Sequence, residues 1–164
     1  MNRYSHTTAS PVFQPSGGVE PRPGGDAARL ARLVMRSGGR LQAQRLVGTA
    51  LYHAALLAGV PPLHLWREAL VRATPLVDLR AMRMGRATRW VPGPVTPRAG
   101  RARAMRWMVE AARDRARREG VPMASALARV VVDTARGTGV VAARREDLHR
   151  LAEKNRGYSR YRWW

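Results

Sequence analysis

Residues 75–113 read PLVDLRAMRMGRATRWVPGPVTPRAGRARAMRWMVEAAR, and the fold turns on how that stretch divides. In its first part Val77, Leu79 and Ala81 alternate with Asp78, Arg80 and Met82, the period-two pattern of a strand. Gly85 marks a turn, and Thr88, Trp90, Val91 and Val95 supply a return strand. Pro92, Pro94 and Pro97 confine that second strand to an edge, because proline has no N–H to give a ladder. From about Arg98 to Arg118 the period becomes helical: Ala102, Met105, Val109, Ala112 and Ala116 recur at spacings of three and four. Moving every position by one gives Arg103, Arg106, Glu110, Arg113 and Arg117, about 100° around the axis. Such a helix seats its apolar side in a core and presents arginines sideways.

Both flanks are helical. Upstream, Asp26 is the expected N-cap of a helix to about Arg36, ended by Gly38 and Gly39. A second helix is expected over Leu41–Ala58, with Leu46, Val47, Ala50, Leu51, Ala54 and Leu57 as its apolar face. A third runs Leu63–Ala73 behind Pro61 and Pro62, turning Leu65, Trp66, Ala69 and Leu70 inward. Downstream, helices are expected over Pro122–Arg136 and Ala143–Arg156. The fold class is therefore mainly α: a six-helix domain, residues 26–164, with one protruding β-hairpin at about 77–95 and a basic, aromatic C-terminal tail at 157–164. A hairpin alone is marginally stable in water, so it must project from or pack against the helices. Residues 1–25 are read as a flexible tail, broken by Pro11, Pro15, Pro21 and Pro23 and by paired glycines.

Charge sets the function class. Thirty Lys plus Arg face 11 Asp plus Glu, a net +19, and Lys154 is the sole lysine. A compact chain so far from neutrality repels itself, and a polyanion is the usual partner that relieves it. Arginine's planar fork suits phosphate and stacked bases, although a GC-rich genome also favours arginine codons. Residues 77–118 hold twelve arginines against Asp78, Glu110 and Asp114, a net +9. Solvated faces normally mix signs, so this density favours a phosphate-binding surface. Residues 1–28 carry Arg3 and Arg22 against Glu20 and Asp26, a net of zero, which places the excess in the folded part. Tyr158 to Trp164 interleave aromatics with Arg160 and Arg162, a pattern suited to phosphates and unpaired bases; one of the two final tryptophans is expected to fold back onto the domain.

Other chemistries find little foothold. There is no cysteine, which excludes disulfides and thiolate sites. His6, His53, His64 and His149 are scattered, and Glu146 and Asp147 are neighbours that point to different helix faces. No glycine-rich phosphate loop or nucleophile elbow is present. No catalytic residue, metal or cofactor is expected, so the chain reads as no enzyme. No apolar run approaches the ~18 residues of a membrane span. The basic stripe lies beside alanines rather than the bulky face an interfacial helix needs, so no membrane partner is expected. The first residues resemble an organelle transit segment loosely, and the opening Met1 leads to the expectation that no leader has been removed.

Two long blocks carry a family resemblance. Pro75–Arg113 and RREDLHRLAEKNRGYSRYRWW, residues 144–164, resemble the hairpin-helix and C-terminal motifs of the universal small-subunit ribosomal protein seven family. Gly85 stands at the family's hairpin glycine, Val91-Pro92 at its Val-Pro, and Ala104–Trp107 at its Ala-Met-Arg-Trp. The likeness spans about Leu30 to Trp164. It implies a structural constituent of the small ribosomal subunit that binds the 3′ major domain of the rRNA and nucleates head assembly. The hairpin would then lie near exit-site tRNA and mRNA, with small-subunit proteins nine and eleven as neighbours. By position, Arg83, Met84, Gly85, Arg86 and Arg89 form or flank the hairpin tip. Arg80, Arg101, Arg103, Arg106, Arg113 and Arg117 face rRNA, with Arg144, Arg145, Arg150, Arg156, Arg160 and Arg162 at the C-terminal end. The chain departs from the pattern in its neutral N-terminus, in Arg86 at the second hairpin glycine and in Met82 at a paired arginine. The closing Trp163-Trp164 resembles plant and algal mitochondrial members, giving a mitochondrial ribosome as the expected location, with bacterial cytoplasm or chloroplast as alternatives. The competing reading is a general basic nucleic-acid-binding domain outside the ribosome.

Overall fold

Glycine and proline punctuation sets the element order. In the computed structural model, which describes residues 25–164, six helices and one antiparallel hairpin follow one another. They are α1 (Gly25–Val34), α2 (Arg40–Ala58), α3 (Pro62–Ala73), β1 (Val77–Met84), β2 (Ala87–Pro94), α4 (Pro97–Glu119), α5 (Met123–Ala135) and α6 (Gly139–Lys154). A short 3₁₀ turn, Arg156–Tyr158, leads into the C-terminus. This is the mainly-α class expected. The tail assigned to residues 1–25 falls, Gly25 excepted, outside the described residues.

Helix α5 is the hub. Its residues Ala126, Leu127, Ala128, Val130, Val131, Val132 and Ala135 are buried nearly all round, as a helix at the centre of a core must be. It packs on α2, α3, α4 and α6. Leu30, Val47, Leu65, Trp66, Leu70, Met105, Met108 and Val141 close around it from the other helices.

Several boundaries and faces differ from the sequence reading. Asp26 lies inside the first turn of α1 rather than capping it, a favourable place for a carboxylate beside the helix dipole. α1 stops at Val34 because Ser37 and Gly38 take left-handed conformations, φ 47° and 76°. α6 begins at Gly139, four residues early, since burial of Val141 outweighs the weak helix propensity of a Val-Val pair. On α2, Val47, Ala50 and Ala54 are buried as expected, but Leu57 is exposed. α2 and α3 meet at 92°, so the last turn of α2 overhangs the core. On α4 the buried stripe is broader than the expected one: Met105, Val109 and Ala112 are joined by Ala104, Met108 and Ala111, while Ala102 and Ala116 lie at its margins.

The hairpin register runs from Val77 opposite Pro94 to Met84 opposite Ala87, leaving Gly85-Arg86 as a two-residue turn. Gly85 has φ 61° while Arg86 stays out of the left-handed region. A turn with positive φ at its first central position only is the II′ form, which needs glycine there and tolerates arginine next. Arg86 is thus accommodated where a second glycine was expected. Alternation identified the strands but not their covered side. Val91 and Gly93 are buried on one face, Pro92 is buried on the other, and no residue from Ala81 to Trp90 is buried. The root is covered on both sides and the outer half projects.

At Gly100, in the first turn of α4, a Cβ would lie 2.8 Å from the Thr74 methyl and 2.9 Å from the Pro75 carbonyl oxygen. Gly100→Ala should lower stability by about 1–3 kcal/mol. Gly48→Ala, in an open position on α2, should raise it by about 0.5–1 kcal/mol. Urea unfolding of the two variants checks both signs.

Candidate nucleic-acid interface

The hairpin root is where distant segments meet. Asp78 accepts the Leu79 N–H at 2.8 Å and forms an ion pair with Arg103 of α4. The Leu76 N–H donates to Nε2 of His149 on α6 at 3.2 Å. One turn of α4 beyond Arg106, Glu110 pairs with Arg144 of α6 at 2.7 Å. Arg103, Arg106 and Glu110 share a face of α4 by spacing, so Arg106 sits between contacts to β1 and to α6 and is itself exposed.

The C-terminal segment folds onto the same root. The Trp163 Nε1–H donates to the Val91 carbonyl at 3.0 Å, and Trp164 stands edge-on to Trp163 at 5.8 Å between ring centres. Both rings pack so closely over Gly93 that a Cβ there would lie 2.6–2.9 Å from them. The Arg80 guanidinium lies 5.7 Å above the Trp163 ring, and that of Arg89 5.7 Å above Tyr158. One of the final tryptophans was expected to fold back; Trp163 does so, and Trp164 remains about half exposed.

The expected site residues therefore fall into three groups. Arg83, Arg86, Arg101, Arg106, Arg156, Arg160 and Arg162 have no acidic partner among the described residues, and all but half-buried Arg101 are exposed. Arg83 turns to the Gly85 carbonyl at 3.4 Å, and Met84 and Gly85 complete the tip. A second group makes internal contacts: Arg103 to Asp78, Arg144 to Glu110, Arg113 to the Leu33 carbonyl at 3.0 Å, and Arg80 and Arg89 over aromatic rings. Arg117 and Arg150 make loose i,i+3 pairs with Asp114 and Asp147, worth little in solvent. Arg145 is half-buried with Nε lacking a partner among the described residues.

The arginine stripe of α4 is not brought together as one patch. Fourteen positions separate Arg103 from Arg117, roughly 21 Å along a helix. Arg103 meets the hairpin at Asp78, and Arg106 shares its face of α4. Arg113 and Arg117 instead line an open cleft of about 590 Å³ with Arg36, Met35, Gln42 and Leu46. Sequence reasoning placed Asp78 only as a strand residue and passed over His149; both prove to be joints. It placed Trp90, too, only as a strand residue, and the ring is exposed on the projecting half of the hairpin. The signal available was its place, by register, opposite the small residue Ala81.

Comparison with known proteins adds an independent line. Residues 5–156 match the model of the family described as ribosomal protein S7p/S5e. The chain is 37% identical over 135 residues to small ribosomal subunit protein uS7 of Thermomicrobium roseum, covering 82% of this chain and 85% of that protein. It is 42% identical over 137 residues to the protein of the same name from Pseudomonas fluorescens, covering 83% and 85%. Against that of Synechocystis the identity is 40% over 132 residues, covering 80% and 83%.

His149 ties α6 to the hairpin only while Nε2 is unprotonated. Burial, then the charge of Arg145, hold its pKa below the ordinary 6.5. Between that lowered pKa and 6.5 the unfolded chain binds the proton and the folded chain does not. The contribution is therefore full above about 6.5 and lost as pH falls. His149→Gln should show a flatter dependence of unfolding free energy between about pH 7.5 and pH 5.5 than the wild type, measured by urea titration. Parallel curves would remove His149 from the joint.

Proposed function

The chain belongs to the ribosomal protein S7p/S5e family, and on that premise we propose how it serves the small ribosomal subunit as a structural, non-catalytic constituent. It binds subunit RNA with three segments: the outer hairpin, the first half of α4 and the C-terminal tail. The observation that carries this reading is that α4, α6 and the C-terminal segment all meet the hairpin root, while exposed arginines on the hairpin tip, on α4 and in the tail have no acidic partner among the described residues. Residues 26–164 act as one RNA-binding unit.

Within that unit the arginines divide their work. Arg83, Arg86, Arg101, Arg106, Arg156, Arg160 and Arg162 contact phosphate directly. Arg103, Arg113 and Arg144 set the geometry, each guanidinium keeping further N–H donors for RNA. Arg80 and Arg89 hold the tail against the strands, and Arg117, Arg145 and Arg150 extend the cationic surface along α4 and α6. The family resemblance supports the finer assignments: binding of the 3′ major domain, nucleation of head assembly, the tip of Met84, Gly85 and Arg86 directed to exit-site tRNA and mRNA, and contact with proteins nine and eleven. Location in a mitochondrial ribosome rests on the Trp163-Trp164 ending, whereas the relatives named above are bacterial; co-sedimentation with organellar or cytosolic small subunits at high salt distinguishes the two. A nucleic-acid-binding role outside the ribosome has nothing comparable in its favour.

Replacing Arg101 and Arg106 by alanine should flatten the salt dependence of binding to a small-subunit rRNA fragment by about 1.4–1.8 in log–log slope, since each phosphate neutralised contributes roughly 0.7–0.9. Thermal stability should hold, because neither side chain has an ion-pair partner among the described residues. Arg103→Ala should lower stability as well as affinity. An unchanged slope in the double variant takes this part of α4 out of the interface.

A further inference from the structure

Four of the five tryptophans have structural work. Trp66 is buried in the core, Trp107 packs against it, Trp163 binds the Val91 carbonyl, and Trp164 stands against Trp163. Trp90 has none of this. It is half exposed, and among the described residues its ring meets no aromatic or cationic partner and its N–H no acceptor. It lies on the half of the hairpin where no residue is buried.

The register defines its surroundings. Trp90 pairs with Ala81; toward the tip the next pair on the same face is Arg83 with Thr88, all three of these exposed, and toward the root it is half-buried Leu79 with buried Pro92. Ala81 offers only a methyl across the strand, and Arg83 is turned to the Gly85 carbonyl at the tip, so neither covers the indole. The other face of the hairpin is different. There Arg80 and Arg89 already lie over Trp163 and Tyr158. The hairpin's one acid, Asp78, is held by Arg103. Trp90 is therefore a large flat apolar ring in a field of one sign, with Arg83 diagonally across the strand pair and Arg86 four residues before it.

From this placement we propose that Trp90 is a stacking platform for an unpaired nucleobase, with Arg83 and Arg86 taking the flanking phosphates of the same strand. An aromatic face beside cations is complementary to single-stranded nucleic acid, which offers a π-face and a phosphate at every step. A duplex hides its base faces and has no use for the indole. The inference rests on the RNA-binding reading above and adds to it a ligand class, single-stranded RNA, at one residue.

The test uses the full chain, an oligouridylate dodecamer and an RNA duplex of equal length, with affinity read by fluorescence polarisation. Trp90→Ala should weaken the oligouridylate complex about 5- to 150-fold, the range for loss of one stacked base, and leave duplex affinity unchanged. Trp90→Phe should recover most of the loss. Thermal unfolding of both variants should match the wild type, as the side chain is exposed and unbonded. Wild-type affinity of Trp90→Ala for oligouridylate, or an equal loss on the duplex, overturns the proposal. So does a variant that binds oligouridylate normally but fails to enter small subunits, which would give Trp90 to a protein neighbour. In these cases a steep salt slope on rRNA leaves the RNA-binding reading standing; a shallow slope in the wild-type chain removes both.

Discussion

Scarcity of negative charge governs this structure. With 11 acids against 30 basic side chains, each carboxylate matters by where it stands. Four of the eight ion pairs among the described residues join separate elements. Asp78–Arg103 ties β1 to α4, and Glu110–Arg144 ties α4 to α6. Asp133 with Arg115 and Glu119 with Arg129 tie α4 to α5. Exposed or half-exposed pairs of this kind contribute at most about 1 kcal/mol each, so the apolar core around α5 supplies the stability. The pairs set direction instead. Remove Asp78 and the hairpin root loses its link to α4, while Arg103 joins an already repulsive surface.

The same shortage explains the C-terminal segment. With no acid to hold it, the tail uses aromatic rings: the Trp163 N–H on the Val91 carbonyl, two indoles over Gly93, and Arg80 and Arg89 above Trp163 and Tyr158. Cation–π contacts seat these arginines without a carboxylate. Among the arginines left without an acid are those of the hairpin tip, the first half of α4 and the tail end. A polyanion laid across these segments relieves the self-repulsion that folding creates.

Much of this was legible in the chain. The period change from two to 3.6 within residues 75–113 marked the hairpin and α4, and Gly85 marked the turn to the residue. Trp66, Leu70, Met105 and Val109 were recognisable as core by spacing alone. Contacts between distant residues were not legible: His149 with Leu76, and Trp163 with Val91, lie 73 and 72 positions apart, and no local pattern carries such pairings. Leu57 misled because a helical stripe does not say where the neighbouring helix ends. The α4 arginine stripe misled in another way, since periodicity shows a common face but not that one end meets the hairpin and the other α1.

The central claim is that the arginines of the hairpin tip, the first half of α4 and the C-terminal tail, rather than the basic surface as a whole, engage RNA. Arginine-selective modification with phenylglyoxal, read by mass spectrometry on the free chain and on the chain within small ribosomal subunits, tests it most directly. Protection concentrated at Arg83, Arg86, Arg101, Arg106, Arg160 and Arg162, with Arg103 shielded in both states, is the predicted result. Equal reactivity of those six in the free and assembled states would contradict it.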